Sequence, residues 1–494
     1  MRYNYYGKSL ACLAMMLGFA TAGFAQVDVG TGSSKTTYST LKEAIANAPS
    51  GNTICLTQDV TETGSISFEG KALTLNLKGF KLILNKEGDA NANLTVGSGA
   101  TLKVQGGLAA TLSVDTNDDY KVTYQDKNGK DQGTLQLDGT IYAKDGGYIY
   151  IASGNIVSTN GVALFAVGDK AGVNSINSKI FVEDGYVKAQ EFAVSAQGNG
   201  ATVIIGQKSS SKAGPVLEAL DNAVVGGNGN NTDTEKCGGT DITILSATLI
   251  GRIQTPGYVA CGIYHPQQGK LTIGYNAKIY AIGGCGILMR GGTMTMGGSA
   301  SIVATGDKAL TGKVGDSPIG VGVNGIVYDY DCGYYDSKNV QISVNGYEAT
   351  PLSITSSADA VSVINTSGAD VSSKISLKNG LFSSDVSKYA DIASGYSCEK
   401  EGDVYHVANY VAQIGGVKWN NLRDAVANAK DGETVLVLKD YVARSYQLVP
   451  KHNVTLDLNG KHVTCYSVKV SGTGSKLTIK IGRASCRERV CLYV

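Results

Sequence analysis

Nine residues, YDYDCGYYD from Tyr328 to Asp336, place Asp329, Asp331 and Asp336 on one glycine-containing stretch. Carboxylates this close together on a loop offer the hard oxygen ligands that Ca²⁺ takes, which makes these three the candidate cation site. No organic cofactor is expected, and Ca²⁺ is the one ion suggested. A second acidic run, DTNDDY from Asp115, begins like an EF-hand loop, but Tyr120 stands where that loop requires glycine, so a solvated polar turn is the simpler reading. Tyrosine supplies the other chemistry. Tyr258, Tyr264, Tyr275, Tyr280, Tyr328 and Tyr330 concentrate in the central part of the chain, with Tyr334 and Tyr335 close behind. A tyrosine ring gives a sugar an apolar face and a hydroxyl partner, so the first six form a candidate glycan-binding platform. Tyrosine is equally a good former of half-buried strands. Only Arg252 and Arg290 lie among the central repeats, where surface roles are expected of them. His265, His406, His452 and His462 are scattered with no Ser or Cys partner pattern, and surface or turn positions suit them. No catalytic residue is assigned.

These groups must be positioned by some repeated element, and two repeats are present. LKEAIANAPSGNTICLTQDV (Leu41–Val60) recurs without a gap as LRDAVANAKDGETVLVLKDY (Leu422–Tyr441), 381 residues later. Leu41, Ala44, Ile45 and Ala48 fall at i, i+3, i+4 and i+7, one face of a short helix. Thr40 and Glu43 make a capping box, with Asn421 and Asp424 as its counterpart. Gly51 and Gly432 are expected to stop the helices, and apolar strands follow at Thr53–Leu56 and Thr434–Leu438. The finer repeat is LTIGYNAKIYAIG (Leu271) against MTMGGSASIVATG (Met294), in step at 23 residues; CGIYH, CGILM and NGIVY mark a second signature at Cys261, Cys285 and Asn324. Short strands, glycine corners and a period in the low twenties predict a parallel β-helix with one coil per repeat and an apolar ladder filling the interior. The helix would cover the otherwise open end of each solenoid. In-register coils would set Cys261 beside Cys285 on neighbouring strands, as a reduced pair with no catalytic or metal role.

On these residues the chain resembles the right-handed β-helix proteins of the pectate-lyase-like superfamily, in which a helix and a following strand open the solenoid. The segment Ile375–Val407 is similar to one that closes such modules in repetitive bacterial surface proteins. The resemblance implies two functions. One is a non-enzymatic, exported surface scaffold, a rigid rod or adhesin-like binder, whose partner would be a glycan or another surface or host protein. The alternative is a polysaccharide lyase or glycoside hydrolase. Asn231-Thr232-Asp233 matches the NTD triplet of polygalacturonases, and Arg252-Ile253-Gln254 approaches their RIK. A Gly-His-Gly element is missing, however, and Asp233 alone cannot supply both the acid and the base of an inverting hydrolase. The scaffold is the favoured expectation.

Bulk properties agree with that reading. A net charge of +1 argues against a nucleic-acid partner. Sixty-four glycines without collagen's period indicate many tight turns between short strands. Cys55, Cys237, Cys261, Cys285, Cys332, Cys398 and Cys465 form no CxxC pair, so neither a zinc ribbon nor a dense disulfide framework is expected; buried apolar roles are. Residues 1–25 read as a signal peptide cleaved near Ala25, since the apolar run is too short to span a bilayer. The expected order is then a signal (1–25), an all-β capped solenoid (26–408), the truncated start of a second such module (409–480), and a tail (481–494) that resembles a translated sequencing adapter and is expected to be an artefact. The mature chain would be secreted or held at the cell surface, with no membrane span.

Overall fold

The computed structural model describes residues 27–30, 34–169, 176–209, 213–227, 239–312, 320–470 and 474–481. The expected signal segment, the triplet Asn231-Thr232-Asp233, Cys237 and residues 482–494 of the tail lie outside them. The described residues are nearly all β, in large parallel sheets. They fall into two compact units, the first reaching Ala219 and the second running from Leu220 onward, with short segments around residues 207–213 assigned to the second. No helix among the described residues is long and apolar enough to cross a membrane.

Alternating burial is the local rule for most strands of the first unit, Leu164–Val167 and Val194–Gln197 of the third ladder excepted. Side chains of a strand point to opposite faces in turn, so a pattern such as TLKVQ (Thr101–Gln105) sends Leu102 and Val104 inward. Parallel pairing then stacks like on like. Leu73, Leu102, Ile149, Ile180 and Val203 occupy one register column. Val60, Leu82, Leu135, Ile156, Val187 and Leu217 form a second column. A third holds Ile66, Leu94, Ile141, Leu164 and Val194. All are buried, and each contributes about 1.5–3 kcal/mol over an exposed side chain. The chain visits these three parallel ladders in turn, an order compatible with a β-solenoid. Circuits vary in length at their corners. Between Thr101–Gln105 and Thr134–Leu137 the chain makes an antiparallel hairpin, Ala110–Asp115 with Lys121–Asp126, yet Leu135 still meets Leu82 in register. The acidic run from Asp115 is the turn of this hairpin: Asp115 accepts from the Asn117 N–H (2.9 Å), while Asp119 and Tyr120 adopt left-handed φ of 47° and 53°.

Helix α1 (Leu41–Asn47) precedes the first parallel strand. Thr40 Oγ1 accepts from the Glu43 N–H (3.1 Å), and the Glu43 carboxylate accepts in turn from the Ser39 hydroxyl (2.6 Å). Leu41, Ala44 and Ile45 are buried. Glu62 accepts from the Leu41 N–H (2.6 Å), and Lys71 Nζ donates to the Ile45 and Ala46 carbonyls, placing a cation at the negative end of the helix dipole. The strand Val27–Val29 lies antiparallel to Thr53–Leu56.

The second unit repeats the three-ladder order through Val361–Ile364 and Ile375–Phe382. Parallel pairing ends where Val404–Ala408 runs antiparallel to both Ile375–Phe382 and Ser397–Glu401. Next come Ala412–Ile414, Val417–Trp419 and helix α2 (Leu422–Asn428), in which Leu422, Ala425 and Val426 are buried. Its cap differs from that of α1, because Asn421 Oδ1 accepts from the Arg423 N–H, one residue earlier. Thr434–Val437 is antiparallel to Ala412–Ile414 and parallel to Asn453–Asp457, the same switch made after α1. Both helices end earlier than their glycines suggested. Ala48 and Ala429 are already extended, with ψ of 126° and 133°, and Gly51 and Gly432 (φ of 89° and 82°) serve the turn into the strand.

Candidate functional site

The third ladder of the second unit breaks the alternation rule. Every residue of Cys261–His265 and of Cys285–Met289 is buried, so both faces of these strands are covered. Their register follows the CGI repeat: Cys261 pairs with Cys285, and Ile263, Ile287 and Ile326 fall in line. The two Sγ atoms lie 2.8 Å apart as free thiols. Glycine follows each cysteine for a packing reason. A Cβ at Gly286 would sit 2.2 Å from Ile302 Cγ2 and 2.5 Å from the Gly325 carbonyl; Gly262 and Gly325 face the same obstruction from Ile279 and Ile354.

Beyond these strands the register brings charge into the interior. Arg290 follows directly on Cys285–Met289 and Asp329 ends Ile326–Asp329; both are wholly buried, with Arg290 Nε 2.8 Å from Asp329 Oδ2. The guanidinium stands 5.6 Å from the ring centroids of both Tyr264 and Tyr334, two cation–π contacts. Arg290 Nη1 reaches Tyr264 Oη at 3.5 Å, and the two tyrosine hydroxyls are 3.0 Å apart. Burial opposes the charge on Arg290, but Tyr264 and Asp329 outweigh it and the guanidinium stays protonated. Burial likewise raises the Asp329 carboxyl above its usual range, against the pull of Arg290. His265 is fully buried, with Nδ1 2.9 Å from the Gly291 carbonyl. A carbonyl only accepts, so Nδ1 carries the proton and the ring is neutral; burial lowers its pKa to about 4. Arg290 Nη2, Asp329 Oδ1 and His265 Nε2 have no hydrogen-bond partner among the described residues.

Chemically this cluster is a strut. The Asp329 carboxylate is committed to the Arg290 guanidinium, and both side chains are fully buried, which leaves no route for a substrate. Tyr328 Oη donates to the Ser337 carbonyl (2.8 Å) and the Gly292 N–H donates to Asp336 (2.8 Å), so the polar groups fasten the 330–340 loop to the ladder. The surface roles expected of Arg290 and His265 are thereby corrected. The missed signal was the unbroken apolar run before each of them, CGILM and CGIY, which marks a strand covered on both faces.

The three carboxylates of the candidate cation site diverge. Asp329 is held by Arg290, Asp331 by Lys338 Nζ (2.5 Å) and the Thr366 and Ser367 N–H groups, and Asp336 by Gly292 and Asn339. No group of three His, Cys, Asp or Glu side chains able to hold a metal occurs among the described residues. The six tyrosines also part company. Tyr264 and Tyr328 are buried on the third ladder, Tyr280 is half-buried on the second, Tyr275 occupies a left-handed turn, and Tyr258 and Tyr330 sit half-buried in loops. The cysteines divide as well: Cys261 and Cys285 are buried, whereas Cys55, Cys332, Cys398 and Cys465 are half-buried.

Open space occurs elsewhere in the second unit. A cleft of about 1030 Å³ is lined by Glu348, Asn379, Asn409, Asn420, Asn421 and Asp424 together with the stretch Lys439–Tyr446. Lys439, one of the lining residues, donates to the Gly395 carbonyl (2.7 Å), and burial lowers the pKa of its ammonium. Tyr441 Oη lies 3.4 Å from Asn421 Oδ1, and Tyr446 is 46% exposed with the Arg423 guanidinium 5.6 Å from its ring centroid. In comparison with known proteins, the chain matches no family model and no curated sequence.

Proposed function

We propose that this chain is an exported, non-enzymatic surface scaffold of the right-handed parallel β-helix type, built from modules each opened by a short capping helix. The observation that carries the reading is the repeated opening unit. In both copies a seven-residue helix buries the same three positions, Leu41, Ala44 and Ile45 or Leu422, Ala425 and Val426, and leads into a strand that is antiparallel on one side and parallel on the other. A cap that shields an open ladder end is needed once per solenoid, so a second cap signals a second module. The pectate-lyase-like resemblance, bacterial origin and cleavage near Ala25 belong to the same proposal. The best-formed polar cluster, around Arg290 and Asp329, is a buried strut rather than a reactive pair, which supports scaffold over enzyme. Two measurements test it. Cells expressing the chain are treated with external protease and fractionated; full protection inside the cell would sink the surface assignment. Reducing-end and unsaturated-product assays on pectic and host glycans should stay at background, and turnover by the purified chain would replace the scaffold with an enzyme.

A further inference from the structure

We propose that the cleft between Glu348 and Tyr446 is a binding site for a neutral oligosaccharide. Its volume, about 1030 Å³, holds several sugar rings. Its chemistry is that of hydroxyl recognition. Asn379, Asn409, Asn420 and Asn421 line it; Asn421 Oδ1 is engaged by the Arg423 N–H and Asn379 Nδ2 by the Gly346 carbonyl, and the remaining amide groups are of the kind that pair with hydroxyls. Carboxylates from Glu348, Asp424 and Asp440 accept from hydroxyls, while Lys439 and Arg444 donate. Opposite charges are nearly balanced along the walls, so nothing there concentrates a polyanion or a metal ion. Apolar contact comes from Tyr441 and from the exposed ring of Tyr446, which suits the C–H face of a pyranose better than a lipid or an apolar peptide side chain. Asn409 is one of the lining residues, although its Oδ1 is itself buried, with no hydrogen-bond partner among the described residues.

The site is separate from the tyrosines of the central ladders and gives the scaffold a ligand class. It does not depend on where the chain is exported. Trp419, the chain's single tryptophan, immediately precedes Asn420 and Asn421 and reports on the cleft by fluorescence. The full chain is titrated with cellohexaose, mannohexaose, xylohexaose and chitohexaose, and with hexagalacturonate as the acidic comparison, read by Trp419 emission and by calorimetry. A saturable response to at least one neutral hexasaccharide is expected. Tyr446→Ala and Asn409→Ala should each weaken it at least tenfold with an unchanged far-UV circular dichroism spectrum. Silence across the neutral panel, binding confined to hexagalacturonate, or binding untouched by both variants would overturn the proposal. Any of these would leave the scaffold reading standing, since that is tested by protease access and product assays.

Discussion

Arg290 shows how one buried charge is tolerated: its cost is offset only while Asp329, Tyr264 and Tyr334 remain in place. Arg290→Met strands the Asp329 carboxylate in the interior and should lower stability by about 3–5 kcal/mol, measured by denaturant midpoint. The double variant Arg290→Met with Asp329→Leu should recover most of that loss, because an apolar pair needs no partner. A double variant as unstable as the single one would show that the strut does more than balance charge. His265 makes stability depend on pH. The unfolded chain protonates this ring near pH 6.5, whereas the native ring resists until about pH 4. Between those values the unfolded state binds more protons, so stability falls as pH drops through the window, by about 3 kcal/mol in full. The raised carboxyl of Asp329 acts in the opposite sense at the acidic end, so the comparison to make is wild type against His265→Gln. The variant should lose the decline between pH 6.5 and pH 4; parallel curves would exclude His265 as its source.

Strands and helices depend on closer tolerances than their patterns reveal. The glycines of the CGI repeat lie where the third ladder passes against Ile279, Ile302 and Ile354, so Gly286→Ala should cost about 1–3 kcal/mol through overpacking. The same change at Gly88, which has nothing within 4 Å but adopts a left-handed φ of 60°, should cost only its backbone strain; similar kinetic and thermal behaviour in the two variants would exclude packing as the reason for the repeat. In α1, Ile45→Asp would place a charge beside Leu41 and Ala44 and remove several kcal/mol, whereas Thr40→Ala should cost about 1 kcal/mol, the value of one N-cap. Unchanged thermal unfolding of Ile45→Asp would show that the helix shields nothing. These elements were legible in the sequence because they are local. The i, i+3, i+4 spacing identified α1 and α2, and the CGI repeat set Cys261 opposite Cys285. What the spacing does not show is which faces neighbouring loops cover, and so it suggests surface positions for Arg290 and His265, which are fully buried.

Across the whole chain the parallel order was readable only where circuits keep one length. Ile279 to Ile302 is such a circuit, at 23 residues, whereas Leu82 to Leu135 takes 53 because of the hairpin at its corner. The cleft at Asn409 was invisible for a related reason: its walls come from residues separated by up to 98 positions, Glu348 and Tyr446, and no periodicity links them. The opening unit around α2 has its own core, drawn from Val411 to Leu456. Val426→Asp should therefore raise amide hydrogen exchange in that stretch and leave Cys285–Met289 protected; loss of protection in both would show that they unfold together. The hairpin at Ala110–Asp126 has a practical consequence. Register is restored after it as though nothing had been added, so this corner separates what the chain can carry from what holds it together. A foreign epitope spliced between Asp115 and Lys121 would be presented on a pre-formed stem, which makes the corner a natural port for vaccine antigens or affinity tags.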